Sequence, residues 1–184
     1  MPRLFIAVPV AESVTANLAR VGRSVDAPGI RWVEQENMHL TLAFLGEVAQ
    51  DRLPGVEEAV YAATEADERP LRLLAQGLGA FPSDEAARVL WAGVTGDVPR
   101  LIDLRSRLVT ELREAAFAVD QTRFHPHVTL ARFRWPRPVP PRLARLEEYG
   151  EWLATEVQVV ESRLRPAGPR YVVRADVQLV ASLD

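Results

Sequence analysis

Stretches of period-two spacing and stretches of helical spacing take turns along the chain. Leu4 to Val8 is a short apolar run stopped by Pro9, which predicts a buried strand. Val14, Leu18, Val21 and Val25 then recur at helical spacing until the Pro28-Gly29 pair. Short strands are expected around Arg31–Val33 and His39–Phe44, the second closed by Gly46. A helix is expected within Leu53–Ala66, where Pro54 is tolerated in the first turn. Leu71–Leu78 and Arg88–Val94 read as two strands joined by a turn containing Pro82, Ser83 and Asp84. Asp97 stands where it would cap the longest helical pattern, whose apolar stripe is Leu101, Leu104, Leu108 and Leu112. A strand over His127–Phe133 follows, then a proline-rich loop from Trp135 to Pro141 and a shorter helix around Leu143–Tyr149. Two strands near Thr155–Leu164 and Arg170–Val180 end the pattern.

Strands outnumber helices and many neighbours are joined by short turns. That order predicts an α+β protein with mostly antiparallel sheets rather than a doubly wound parallel one. At 184 residues the chain suits one unit, residues 1–184, or two small lobes sharing a core. There is no Gly-x-Gly-x-x-Gly and no Walker-type loop, so dinucleotide or nucleoside-triphosphate binding of those kinds is not expected.

Composition removes further classes. A 48% hydrophobic and 26% charged chain is ordinary for a globular protein. No apolar run approaches the roughly 20 residues that a membrane helix needs. The opening MPRLFIAVPVAES reads as a first strand rather than a secretory leader, and a cytoplasmic protein with no membrane partner is the expectation. Cysteine is absent, which excludes a disulfide framework, a thiolate nucleophile and a cysteine-type zinc site. All 22 basic residues are arginine. Without lysine there is no amine nucleophile, while arginine's flat, permanently charged fork suits phosphate oxygens. A net charge of −3 argues against long nonspecific tracking along nucleic acid and leaves room for a small footprint on a strand end.

The chemistry concentrates in a repeated tetrapeptide. His39-Leu40-Thr41-Leu42 continues as Ala43-Phe44, and His127-Val128-Thr129-Leu130 continues as Ala131-Arg132-Phe133. On a half-buried strand His39, Thr41 and Ala43 share one face, with Leu40, Leu42 and Phe44 on the other. The second copy gathers His127, Thr129 and Ala131 over Val128 and Leu130, and Phe133 joins that core face only if the strand bends. Two of only three histidines thus occupy one local pattern. If the strands lie side by side about an approximate twofold, one cleft holds two imidazoles and two hydroxyls, an arrangement core packing does not call for. Imidazole is neutral or protonated near neutral pH, so one ring can accept a proton from water while the other gives one to a departing oxygen. The threonine hydroxyls can donate to nonbridging phosphate oxygens. Zinc is the rival use of two histidines, but it wants three or four protein ligands, and Glu34 and Glu36 fall at no evident ligand spacing. No metal and no cofactor are expected.

These paired His-x-Thr-Leu motifs resemble those of the two-histidine phosphoesterases, and in particular the RNA 2′,3′-cyclic phosphodiesterases, also called 2′-5′ RNA ligases. The similarity runs over nearly the whole chain: Arg3-Leu4-Phe5-Ile6-Ala7, Arg31-Trp32-Val33, Phe44-Leu45-Gly46, Arg88 to Gly93, Pro126 to Arg132, and Glu161-Ser162-Arg163-Leu164 with Gly168 and Tyr171. The resemblance implies a bilobal fold, two small antiparallel sheets with outer helices and the two histidine strands facing across a central cleft. It implies hydrolysis of an RNA terminal 2′,3′-cyclic phosphate to a 2′-phosphate, with reversible 2′-5′ joining of RNA or tRNA halves; separately, a monomer is expected. It casts His39 as the acid, His127 as the base, and Thr41, Thr129 and Arg132 as the phosphate-holding residues. Strict alternation sends Arg132 to the face opposite His127, so it joins the site only if the strand ends, twists or bulges there.

Other readings stay open. A different cyclic substrate, such as ADP-ribose cyclic phosphate, or a non-catalytic nucleotide- or RNA-binding module would keep the same pocket. His125 reads as a histidine flanking the site, and Phe5 and Phe44 as core residues rather than base-stacking ones. The acid-free stretch from Arg123 to Arg145, with Trp135 inside it, is either a guide for an RNA strand or a solvated loop.

Overall fold

The computed structural model describes residues 1–23, 28–66, 69–120, 123–140, 147–166 and 168–179. Among them the period-two segments form nine strands: β1 (Arg3–Pro9), β2 (Ile30–Trp32), β3 (His39–Glu47), β4 (Leu71–Phe81), β5 (Ala87–Gly96), β6 (His127–Arg137), β7 (Glu148–Ala154), β8 (Glu156–Arg165) and β9 (Gly168–Gln178). The helical patterns form α1 (Glu12–Arg23), α2 (Leu53–Thr64) and α3 (Val98–Glu114). The α+β expectation holds, and every strand pairing is antiparallel.

The strand order, β7-β4-β5-β6-β3-β1-β8-β9 with β2 on β6, divides into two four-strand halves of matching layout. Each half places its histidine strand innermost: β3 beside β1, β8 and β9, and β6 beside β5, β4 and β7. The halves meet between β3 and β6 at one register pair, Leu40 with Val128, which joins them into a single nine-stranded sheet. Leu40 and Val128 are both fully buried. The junction of the two motifs is therefore pinned by core packing, and their histidines flank it.

α2 and α3 pack on each other, with α2 also covering β8 and β9, while α1 lies against β7. The stripe Leu101, Leu104, Leu108 and Leu112 faces inward as expected. Four details differ from the sequence reading. Asp97 stands at the start of α3, but its carboxylate accepts from the Arg72 backbone N–H at 2.9 Å instead of bonding to the helix's own N–H groups. Trp135, Pro136 and Arg137 continue β6 rather than opening a loop: the Arg134 N–H just before them donates to the Gly29 carbonyl, and Arg137 pairs with Ala87 of β5. Glu148 and Tyr149 belong to β7, paired with β4, and not to a helix; residues 143–146 of that expected helix lie outside the described residues. Phe44 is 60% exposed, whereas Phe5 is buried as expected.

Candidate active site

Both histidine strands carry an irregularity at the same motif position. Along β1 and β3, Ala7 pairs with Thr41 and Ile6 with Ala43, passing over Leu42. Along β5 and β6, Trp91 pairs with Thr129 and Leu90 with Ala131, passing over Leu130. An extra residue in one strand turns two successive side chains to one face and reverses the alternation beyond it. Leu42 and Ala43 are accordingly both buried, as are Leu130 and Ala131. The residues that follow, Phe44 and Arg132, then return to the face of the histidines.

This corrects the face assignments made by strict alternation. Ala43 and Ala131 lie in the core and not beside the histidines. Phe44 leaves the core face, and Phe133 stays on it. Arg132 reaches the site because β6 bulges. Its charge acts on His39, His127 and Tyr171 together, which places it among all three.

Around the Leu40–Val128 pair, the register sets His39 opposite Thr129 and Thr41 opposite His127. The two imidazoles are then diagonal neighbours, about 7–8 Å apart at the backbone for ideal pairing. Charge on His127 is felt at His39, as that proximity requires. The structure thus brings His39, Thr41, His127, Thr129 and Arg132 to one face. Neither threonine hydroxyl bonds to another group among the described residues, so both are free to donate into the cleft.

Each imidazole is held in the same way. Nδ1 of His39 lies 2.7 Å from the carbonyl of Asn37, and Nδ1 of His127 lies 2.6 Å from the carbonyl of His125. A carbonyl only accepts, so Nδ1 carries hydrogen in both rings and the neutral form leaves the Nε2 lone pair for the cleft. Aromatic side chains wall both rings. Phe5 stacks on His39 at 4.7 Å and Tyr171 meets it edge-on at 5.2 Å. Phe81 meets His127 edge-on at 5.1 Å, with Trp91 at 6.0 Å. Periodicity gave no sign of Phe81 and Trp91 in this role, since they come from strands distant in sequence. The His125 ring lies tilted against Trp91 at 4.6 Å, outside the diagonal pair.

Burial lowers the pKa of both histidines below the ordinary value of about 6.5, an effect opposed in each by the carbonyl hydrogen bond. Neighbouring positive charge lowers them further: His127 and Arg132 act on His39, and His125 and Arg132 act on His127. Both rings are therefore poised on the neutral side, and a bound anion would favour the imidazolium. Beside His39 opens a cavity of about 270 Å³, lined by Phe5, Tyr171, Val160, Gln158 and Glu36 among others. No group of three or more His, Asp or Glu side chains gathers as a metal-ligand set among the described residues. No helix there is long and apolar enough to cross a membrane.

Comparison with known proteins shows what the whole chain is similar to. The family model described as LigT like Phosphoesterase matches residues 8–91 and 95–171. A protein of Aeropyrum pernix named RNA 2′,3′-cyclic phosphodiesterase is 34% identical over 176 residues, covering 92% of this chain and 98% of its own. One of Thermus thermophilus with the same name is 36% identical over 178 residues, covering 93% and 87%. Among solved structures, one from Thermus thermophilus superposes with a TM-score of 0.81 at 33% identity, covering 98% of this chain and 99% of that one. Escherichia coli LigT complexed with 3′-AMP gives 0.80 at 23% identity over 96% and 97%, a likeness of fold alone.

Proposed function

The chain belongs to the LigT-like phosphoesterase family, and from that premise we propose that it hydrolyses the 2′,3′-cyclic phosphate at an RNA end to a 2′-phosphate. The observation that carries the reading is the diagonal pair of imidazoles, each with Nδ1 tied to a carbonyl, which leaves Nε2 as the nitrogen open to a substrate. A phosphorus atom between them has a proton acceptor on one side and a proton donor on the other.

In the forward reaction a water oxygen attacks phosphorus as Nε2 of His127 takes its proton. The P–O3′ bond breaks in line, and Nε2–H of His39 protonates the departing O3′. His39 does this as an imidazolium that still donates from Nδ1 to Asn37. The substrate's own negative charge supports that form against the burial that disfavours it. Thr41, Thr129 and Arg132 hold the nonbridging oxygens, where charge grows in the transition state. Because the leaving O3′ stays on the ribose, in-line geometry puts the terminal nucleoside on the His39 side. The cavity beside that ring, with Phe5 and Tyr171 in its wall, has room for its base. A 5′-hydroxyl in the place of water would give a 2′-5′ linkage through the same two proton transfers, and the reaction would run backward by exchanging their roles.

A short oligonucleotide with a cyclic end, incubated in EDTA, is expected to gain the mass of one water and to yield the 2′-phosphate alone. Abolition of turnover by EDTA, or a 3′-phosphate product, would end this mechanism. The pH profile gives a second check. kcat/KM reports the free protein, in which both histidines titrate below about 6.5, so its optimum should lie on the acid side of that value. kcat reports the complex, where the phosphate raises the acid's pKa, so its alkaline limb should sit at higher pH. Coincident profiles centred above pH 7 would contradict the assignment.

A further inference from the structure

β2 places Arg31 directly opposite Arg132 of β6. Facing residues of an antiparallel pair point to the same side, with Cβ atoms about 4.5–5.5 Å apart, and like charges so placed are destabilising. Both side chains are exposed, and neither has an acidic partner among the described residues. The Arg31 guanidinium also has a defined neighbour on the far side: it lies against Gly168, where β9 begins, Nη2 falling within 2.6 Å of where a Cβ would stand. Arg170, two residues along β9, is exposed and has no acidic partner either.

A chain that holds two guanidinium groups face to face without a counter-ion gains nothing from them until an anion arrives. Arg132 already belongs to the reactive phosphate in the reading above. That cyclic phosphate carries one negative charge, which leaves the Arg31 charge unmatched. An RNA end supplies a second: the internucleotide phosphate on the 5′ side of the terminal nucleoside. We propose that Arg31 is the binding residue for that phosphate, so that the protein recognises an oligonucleotide end in preference to a cyclic mononucleotide. Its fork, set next to Arg132 and turned toward the start of β9, directs the RNA backbone out of the cleft between β2 and the β8–β9 hairpin. This inference rests on the phosphodiesterase reading and extends it to the substrate's second phosphate.

The test uses two cyclic-ended dinucleotides that differ only in the linkage, one a phosphodiester and the other an uncharged methylphosphonate. Wild type should favour the charged linkage in kcat/KM by about 10–100-fold, the range for a hydrogen bond to a charged group. Arg31→Gln should lose that preference, so that its two rates become equal, and Arg31→Lys should restore part of it. At low ionic strength Arg31→Gln should also melt at a higher temperature than wild type, since one of two opposed like charges is gone. No preference in wild type would overturn the proposal. So would an equal loss on both linkages together with a lowered melting temperature, which would make Arg31 a structural residue. If wild type turned over neither dinucleotide, the reaction assigned above would fail on its own. The same comparison by equilibrium binding of the 2′-phosphate-ended dinucleotides would still decide Arg31: a preference for the charged linkage that Arg31→Gln removes supports it, and equal binding by wild type overturns it.

Discussion

Replacing His127 with alanine is expected to lower kcat by about 10²–10⁴-fold, the contribution of one positioned general acid or base, and His39→Ala should do the same. The two losses should not multiply. Once either proton transfer is gone the other ring has no concerted partner, so the double variant should be only slightly worse than the poorer single one. Substrate binding should survive, because Thr41, Thr129 and Arg132 still face the cleft. The loss therefore belongs in kcat rather than in KM. The pH profile separates the roles: losing the base should erase the acid limb, and losing the acid should erase the alkaline limb. Steady-state kinetics on a cyclic-ended oligonucleotide, with far-ultraviolet circular dichroism to check folding, reads all of this. His39→Asn guards against a packing artefact, since His39 lies between Phe5 and Tyr171. If either alanine variant turned over within a fewfold of wild type, that ring would not be a proton carrier.

The two tetrapeptides were legible because a strand's period of two is short enough to see in four residues. His39 and Thr41 alternate with Leu40 and Leu42, and the same holds in the second copy, so the cleft face and the core face separate by eye. Alternation stops being a guide where a strand takes an extra residue. Nothing in Leu42-Ala43-Phe44 or Leu130-Ala131-Arg132 announces a bulge, since all of these residues suit either face of a strand except the arginine. That arginine was the one usable signal. A charged side chain assigned to a core face costs several kcal/mol unless it is paired, and the contradiction pointed to the irregularity that the structure contains. β7 failed for a related reason. Leu143, Leu146 and Tyr149 are spaced by three, which looks helical, while the strand at Tyr149 is disturbed by a register shift on β4 and by Gly150 at φ 128°. The aromatic walls, Phe81 and Trp91 on one ring and Tyr171 on the other, depend on strand order across the whole sheet. Local pattern carries no information about that order.

Because the motif packs chemistry and core into adjacent residues, neighbouring substitutions should have opposite signatures. Thr129→Val keeps the shape of the side chain and removes its hydroxyl. If that hydroxyl donates to a nonbridging oxygen, kcat should fall by about 10²–10³-fold, as for removal of one oxyanion donor. Melting temperature should hardly change, because the hydroxyl has no partner among the described residues whose loss would matter. Leu130→Ala, one residue on, removes a fully buried side chain from the core face of the bulge. It should cost about 2–5 kcal/mol of stability, a fall in melting temperature on the order of 10 °C for a chain of this size. Below its own transition this variant should keep much of its turnover, provided the bulge holds Arg132 in place. Thermal denaturation and initial rates on the same two proteins give the comparison. Loss of turnover without loss of stability in Leu130→Ala, with the reverse in Thr129→Val, would mean that the two faces of β6 had been assigned the wrong way round. The cleft, the paired imidazoles and the site of Arg132 would then fall together, since one alternation and one bulge position them all.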